Sequence, residues 1–204
     1  MSIESLVHVI DDDEAVRDSL GFLFDSCGLP VRTYSSATMF LGITADGVAG
    51  CVITDVRMPD MSGLDLLREL KSRGVLTPII VITGHGDVPL AVEAMREGAH
   101  DFIEKPFDDE ALLGVVRRVL ERGADPAPGD EQAAVRAKVA RLSQRERQVF
   151  KRLVEGQLNK TIAWDLGISA RTVEVYRAKL MTKMEATAFA DLVRMGLMAG
   201  ELED

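Results

Sequence analysis

Apolar residues recur along this chain in two rhythms, and the change between them divides it. Up to about residue 123, short apolar runs alternate with stretches of helical spacing. The runs at 7–10, 31–34, 51–54, 79–83 and 101–104 predict strands, and 14–26, 36–41, 63–73, 88–97 and 108–122 predict helices. Pro78-Ile79-Ile80-Val81-Ile82 shows no polar alternation, as expected of a strand buried on both faces of a parallel sheet. Five such βα repeats predict an α/β, doubly wound, five-stranded parallel sheet. Residues 124–131 (Ala-Asp-Pro-Ala-Pro-Gly-Asp-Glu) break both rhythms, since two prolines and a glycine cannot extend a helix. Residues 132–142 have the spacing of a short linker helix, and beyond them only helical patterns remain. The expected organisation is a first domain over 1–123, a partly helical linker over 124–141, and an all-α domain over 142–204.

Charge sharpens that division. The net charge of −9 hides an asymmetry: residues 1–123 carry 21 acidic and 11 basic side chains, net −10, whereas 136–194 carry 6 and 13, net +7. An acidic half joined to a basic half suggests that one part handles cations and the other polyanions. A hydrophobic content of 47% excludes a disordered chain. Glu4 and Asp11 interrupt any signal-like start, and no run of about 18 apolar residues could span a membrane. Two cysteines, Cys27 and Cys51, without CxxC spacing, fit a reducing cytoplasm and read as small buried hydrophobes.

In open parallel sheets, ligands bind at the carboxyl ends of the strands. Here the first strand ends in Asp11-Asp12-Asp13, the third in Asp55 and the fourth in Thr83, while the fifth is followed by Lys105-Pro106. Crowded carboxylates invite a hard divalent cation such as Mg²⁺. With Lys105 and the Thr83 hydroxyl nearby, they suit phosphoryl transfer to a carboxylate, giving an acyl phosphate. Asp55 stands alone at the central strand's end and is the expected nucleophile. Asp13 is expected to cap the next helix or to stand behind the acid pair. His8 reads as a satisfied core histidine. His85, between two glycines near the pocket mouth, is open to a part in setting the phosphoryl group's lifetime.

These residues resemble a family. The runs Val9-Ile10-Asp11-Asp12-Asp13, Thr54-Asp55-Val56-Arg57-Met58-Pro59, Ile82-Thr83-Gly84-His85-Gly86 and Phe102-Ile103-Glu104-Lys105-Pro106-Phe107 resemble a two-component response-regulator receiver. The run Thr-Gly-His-Gly-Asp-Val-Pro-Leu-Ala-Val-Glu-Ala-Met at 83–95 is similar to FixJ-type regulators in particular. The resemblance implies a flavodoxin/CheY-like fold with Asp55 as phosphoacceptor. It implies Mg²⁺ held by Asp11, Asp12, Asp55 and the Arg57 carbonyl, and a switch built from Thr83, Phe102 and Lys105. A cis Lys105–Pro106 bond is also implied.

In the basic half, Ser143-Gln144-Arg145-Glu146 forms a capping box for a helix stopped by Gly156. Asn159 is the expected cap of a short helix to Leu166, and Gly167-Ile168 turn the chain. Ser169 is the expected cap of a longer helix over 170–184, completing a helix-turn-helix pattern. Val173, Tyr176, Leu180 and Met184 form its inward stripe. Arg171, Glu174, Val175 and Ala178 form the outward one, with Arg177, Lys179 and Lys183 on the flanks, a face suited to a major groove.

Leu-Ser-Gln-Arg-Glu-Arg-Gln-Val, Asn-Lys-Thr-Ile-Ala and Ile-Ser-Ala-Arg-Thr-Val-Glu-Val-Tyr-Arg-Ala-Lys resemble a LuxR-type DNA-binding domain. In that family, positions matching Glu174, Val175 and Ala178 approach bases, and Lys160, Thr172, Arg177 and Lys179 are expected backbone contacts. Trp164 is expected to pack against the scaffold helix.

The combined resemblance implies a cytoplasmic transcription factor phosphorylated on Asp55 by a partner histidine kinase. It would then dimerise through the face of 88–97, the fifth strand and 108–122, and bind double-stranded promoter DNA as an activator, with RNA polymerase as a further partner. Enzymatic activity is expected only as self-catalysed phosphotransfer and dephosphorylation. A Mg²⁺-dependent phosphohydrolase is the rival from the enzyme class, but it leaves the basic half unexplained. RNA binding is the other rival and lacks the usual aromatic platforms.

Overall fold

The computed structural model describes residues 6–44, 48–84, 88–122 and 130–201. It contains β1 (Val7–Ile10), α1 (Glu14–Ser26), β2 (Val31–Tyr34), α2 (Ala37–Leu41), β3 (Cys51–Asp55), α3 (Gly63–Ser72), β4 (Ile79–Thr83), α4 (Val88–Glu97), β5 (Asp101–Glu104) and α5 (Asp109–Arg122). Five further helices follow: α6 (Asp130–Ala140), α7 (Gln144–Val154), α8 (Asn159–Leu166), α9 (Ala170–Met184) and α10 (Phe189–Ala199). The chain divides into two compact units, one of residues up to 85 with 97–126, the other of 86–96 with 127–204. Among the described residues, no helix is long and apolar enough to cross a membrane.

The first unit is built on a parallel sheet in the order β2-β1-β3-β4-β5. Alternation along each strand sends Val7, Val9, Cys51, Ile53, Ile80 and Ile82 to one face. There they pack with Leu20 and Phe24 of α1 and with Leu112, Val116 and Val119 of α5. His8 is a satisfied core residue, with Nδ1 3.1 Å from the Tyr34 hydroxyl and Nε2 3.2 Å from the Ala49 carbonyl. Burial, the main cause, lowers its pKa. Cys51 is fully buried, and burial pushes its thiol up to about 12. Cys27 is only half-buried, because it caps the solvent end of α1 rather than facing the sheet.

In the second unit, α6 to α10 share one core around Phe150, Leu153, Ile162, Val173, Leu180 and Leu192. Val135, Val139 and Leu142 belong to that core, so α6 is a packed member of the unit. Ser143 and Glu146 make the expected capping box at α7. Ser169 caps α9, accepting from the Thr172 amide. Asn159 does not cap α8: it lies in the first turn, and Leu158 holds the cap position without a side-chain bond. Gly167 ends α8 with φ +62°, a left-handed conformation that glycine adopts without strain. The chain can therefore turn sharply into α9. Helix α10 is held at its start by Asp191, whose Oδ2 accepts from the Thr187 and Ala188 amides and the Thr187 hydroxyl.

Candidate functional site

Parallel pairing brings the ends of β1, β3, β4 and β5 to one edge of the sheet, and the expected pocket residues meet there. Asp55 terminates β3 in register with Ile82. Its Oδ2 accepts from the Arg57 amide at 2.6 Å, and its Oδ1 accepts from Lys105 Nζ at 2.7 Å. The same ammonium reaches Asp11 Oδ2 at 3.1 Å. Lys105 is aimed inward because its amide donates to the Thr83 carbonyl at 2.8 Å. Its bond to Pro106 is cis, as the resemblance implied.

The acid pair is fixed from behind. Arg17 Nη1 donates to the carbonyls of Asp11 at 2.8 Å and Asp12 at 2.9 Å. That cation occupies main-chain oxygens and leaves the carboxylates available. Asp13 caps α1, accepting from the Ala15 amide at 2.9 Å. Its own amide donates to Asp11 Oδ1 at 2.9 Å. Asp11 is buried, whereas Asp12 is exposed.

Gly63 shapes the other side of the pocket, a role that motif reading missed. A Cβ there would lie 2.3 Å from the Asp55 carbonyl oxygen, so only glycine lets α3 begin this close to the nucleophile's backbone. The signal was Ser62-Gly63 at a helix start, which reads equally well as ordinary capping. Arg17 was missed for a similar reason, since one arginine on an exposed helix usually means a solvated face.

The electrostatics follow from crowding. Burial drives the Asp11 carboxyl above its usual range and the Asp55 charge adds to this, while the Asp13 amide and Lys105 oppose it. Burial also works against the Lys105 charge, but Asp55 and Asp11 together more than offset it and hold the ammonium above its usual range. Among the described residues, no group of three or more acidic, histidine or cysteine side chains is gathered closely enough to hold a metal ion. Asp11 and Asp55 are instead bridged by Lys105, and Asp12 is exposed. Thr83 is buried, and among the described residues its hydroxyl makes a 3.5 Å contact with the Gly84 carbonyl, a distance at the weak limit of hydrogen bonding. Phe102 is buried. His85 lies outside the described residues.

The second candidate site is α8 and α9. Arg171, Glu174, Val175, Ala178 and Lys179 are exposed on α9, and Lys160 is exposed on α8. Val173, Leu180 and Met184 are buried opposite. Three expected backbone contacts are engaged within the unit, Lys179 with its Nζ 5.8 Å from the Tyr176 ring centroid. Thr172 lies 2.8 Å from the Ser169 hydroxyl, and the Arg177 guanidinium sits 4.4 Å from the Phe189 ring centroid. Lys183 is bonded to Glu146 Oε2 at 2.8 Å. Trp164 corrects an expectation: it is 88% exposed. The buried residues of α8 are instead Ile162 and Ala163.

Comparison with known proteins gives the same division. Residues 7–117 match the response regulator receiver domain, and residues 140–196 match the luxR family of bacterial regulatory proteins. The transcriptional regulatory protein FixJ of Azorhizobium caulinodans is 59% identical over 199 residues, spanning 97% of this chain and 94% of that protein. FixJ of Bradyrhizobium diazoefficiens is 48% identical over 206 residues, spanning all of both. The crystal structure of full-length FixJ from B. japonicum, at 47% identity, covers 99% of this chain and 100% of its own with a TM-score of 0.56.

Proposed function

The chain belongs to the two-component response regulators that join a receiver to a luxR-family DNA-binding domain, and on that premise we propose that phosphorylation of Asp55 switches its control of transcription. The observation that carries this reading is the Lys105 ammonium bridging Asp55 and Asp11 at 2.7 and 3.1 Å. A fixed cation beside a strand-end carboxylate is the charge arrangement an incoming phosphoryl group requires.

An Asp55 carboxylate oxygen attacks the phosphorus of a phosphohistidine on a partner kinase. The P–N bond breaks, the electron pair returns to the imidazole, and an aspartyl phosphate forms. Lys105 stays paired with the new phosphoryl oxygens. The donor types also suit Mg²⁺, because the strand ends supply hard carboxylate and carbonyl oxygens. Asp12, Asp55 and the Arg57 carbonyl would hold the ion with Asp11 behind them, and it would screen the crowded negative charge. Loss of the phosphoryl group to water within the same pocket would reset the switch.

The Thr83 hydroxyl would turn toward a phosphoryl oxygen, and Phe102 and β5 would follow it. We take the outcome to be a dimer that sets two α9 helices on a two-fold DNA site. Its exposed Glu174, Val175 and Ala178 would face bases, flanked by Lys160, Arg171 and Lys179. The reading places this regulator in the cytoplasm, acting as an activator with RNA polymerase as a partner. Sedimentation with acetyl phosphate and Mg²⁺ tests it: wild type is expected to dimerise and Asp55→Asn to stay monomeric. Equal dimerisation of the two would remove Asp55 as the switch.

A further inference from the structure

We infer that Trp164 is a docking contact for the sugar–phosphate backbone of duplex DNA, set on the helix that precedes the reading helix. The inference rests on the DNA-binding role of the second unit and adds a residue that role does not require.

Trp164 is the chain's only tryptophan and is 88% exposed. Its helix buries Ile162 and Ala163. Lys160 and Thr161, four and three residues earlier, share its face and are also exposed. Asp165, the acid next to it, is drawn toward Arg152 at 3.6 Å, so the face itself carries only Lys160's charge. In a helix-turn-helix, the first helix of the pair crosses the DNA backbone while the second enters the groove. Here α8 is that first helix, joined to α9 through Gly167. A segment with a net charge of +7 over residues 136–194 attracts the polyanion that would meet this face.

The indole suits such a contact on two counts. Its flat apolar surface can cover a deoxyribose, and its N–H can donate to a phosphate oxygen. A large aromatic left in water contributes nothing to folding, but at this position it gains burial only when DNA arrives. Being uncharged, it adds affinity without releasing counterions. That separates it from Lys160, which neutralises a phosphate.

The experiment uses the full chain treated with acetyl phosphate and Mg²⁺, and a fluorescein-labelled 30-base-pair duplex of arbitrary sequence. Anisotropy reports binding of the labelled duplex, and emission of the single tryptophan is read with an unlabelled copy. Trp164 emission is expected to shift and quench as binding saturates. W164A is expected to bind about fivefold more weakly (~1 kcal/mol) with an unchanged dependence of log Kd on log salt, and with an unchanged thermal transition. K160A is expected to flatten that dependence by about one charge. Saturated binding with unaltered Trp164 emission, or W164A binding as tightly as wild type, would overturn the inference while leaving DNA binding intact. Wild-type protein that fails to bind the duplex would remove the DNA-binding reading itself. W164A with normal DNA affinity but lost transcription would reassign the residue to a protein partner.

Discussion

Glu146→Gln isolates one charge in the second unit while keeping side-chain shape and a hydrogen-bond acceptor. Oε2 of Glu146 accepts from the Ser143 amide at 2.9 Å, the Ser143 hydroxyl at 2.9 Å and Lys183 Nζ at 2.8 Å. Lys183 first, then the Ser143 amide, hold this carboxyl at about 2, below its ordinary 4.5. A difference of that size corresponds to ~3 kcal/mol. Lys183 is 47% exposed, so solvent screening reduces the net contribution to about 1–2 kcal/mol. A depressed carboxylate stabilises fully above its unfolded pKa and loses that stabilisation as pH falls through the folded one. E146Q should therefore lower the second unit's transition at pH 7 by roughly 4–16 °C, and the deficit should shrink as pH falls from 4.5 toward 2. Scanning calorimetry of the full chain measures this, with the first unit's transition as internal reference. An unmoved transition at pH 7, or an equal deficit at pH 3, refutes the reasoning.

Asp11→Asn should raise the first unit's melting temperature at pH 7. Burial raises the folded pKa of Asp11, so its ionised form costs stability, and that cost grows as pH rises through the folded pKa. The gain should fade in acid, and thermal melts at pH 7 and pH 4 compare the two. The same substitution should slow phosphorylation by acetyl phosphate, a trade of function for stability. Gly63→Ala forces a Cβ to 2.3 Å from the Asp55 carbonyl. It should cost about 1–3 kcal/mol and slow phosphorylation, with urea unfolding and phosphate incorporation as the checks. Equal stability of G63A and wild type would show that α3 can move aside freely.

The central strands were legible because the middle of a parallel sheet, buried on both faces, demands continuous apolar runs, and 79–83 falls where that rhythm placed it. Asp55 joins β3 as its last residue, one beyond the predicted 51–54, because ladder pairing with Ile82 carries past the apolar run. Side-chain caps were legible at Ser143 and Ser169, where a hydroxyl precedes a helical pattern. Asn159 misled for the same reason: the chain enters α8 one residue earlier, at an uncapped Leu158. The pocket's first rank (Asp11, Asp55, Thr83, Lys105) followed from strand ends alone. Arg17 and Gly63 act through backbone carbonyls, and such contacts leave no side-chain pattern to read. Helix α10 passed without being singled out, although Asp191 three residues after Ala188 is a start signal. Trp164 was misplaced because apolar bulk normally predicts burial, and only the packing of Ile162 and Ala163 shows which face of α8 is already filled.

The central claim is tested most directly by locating the phosphoryl group. The full chain is incubated with acetyl phosphate and Mg²⁺, the acyl phosphate is trapped by borohydride reduction, and the peptides are mapped by mass spectrometry. The account predicts reduction to homoserine at position 55 alone, abolished in Asp55→Asn and strongly diminished in Lys105→Ala. Label at Asp11 or Asp12 in wild-type protein, or undiminished incorporation in Asp55→Asn, would contradict it.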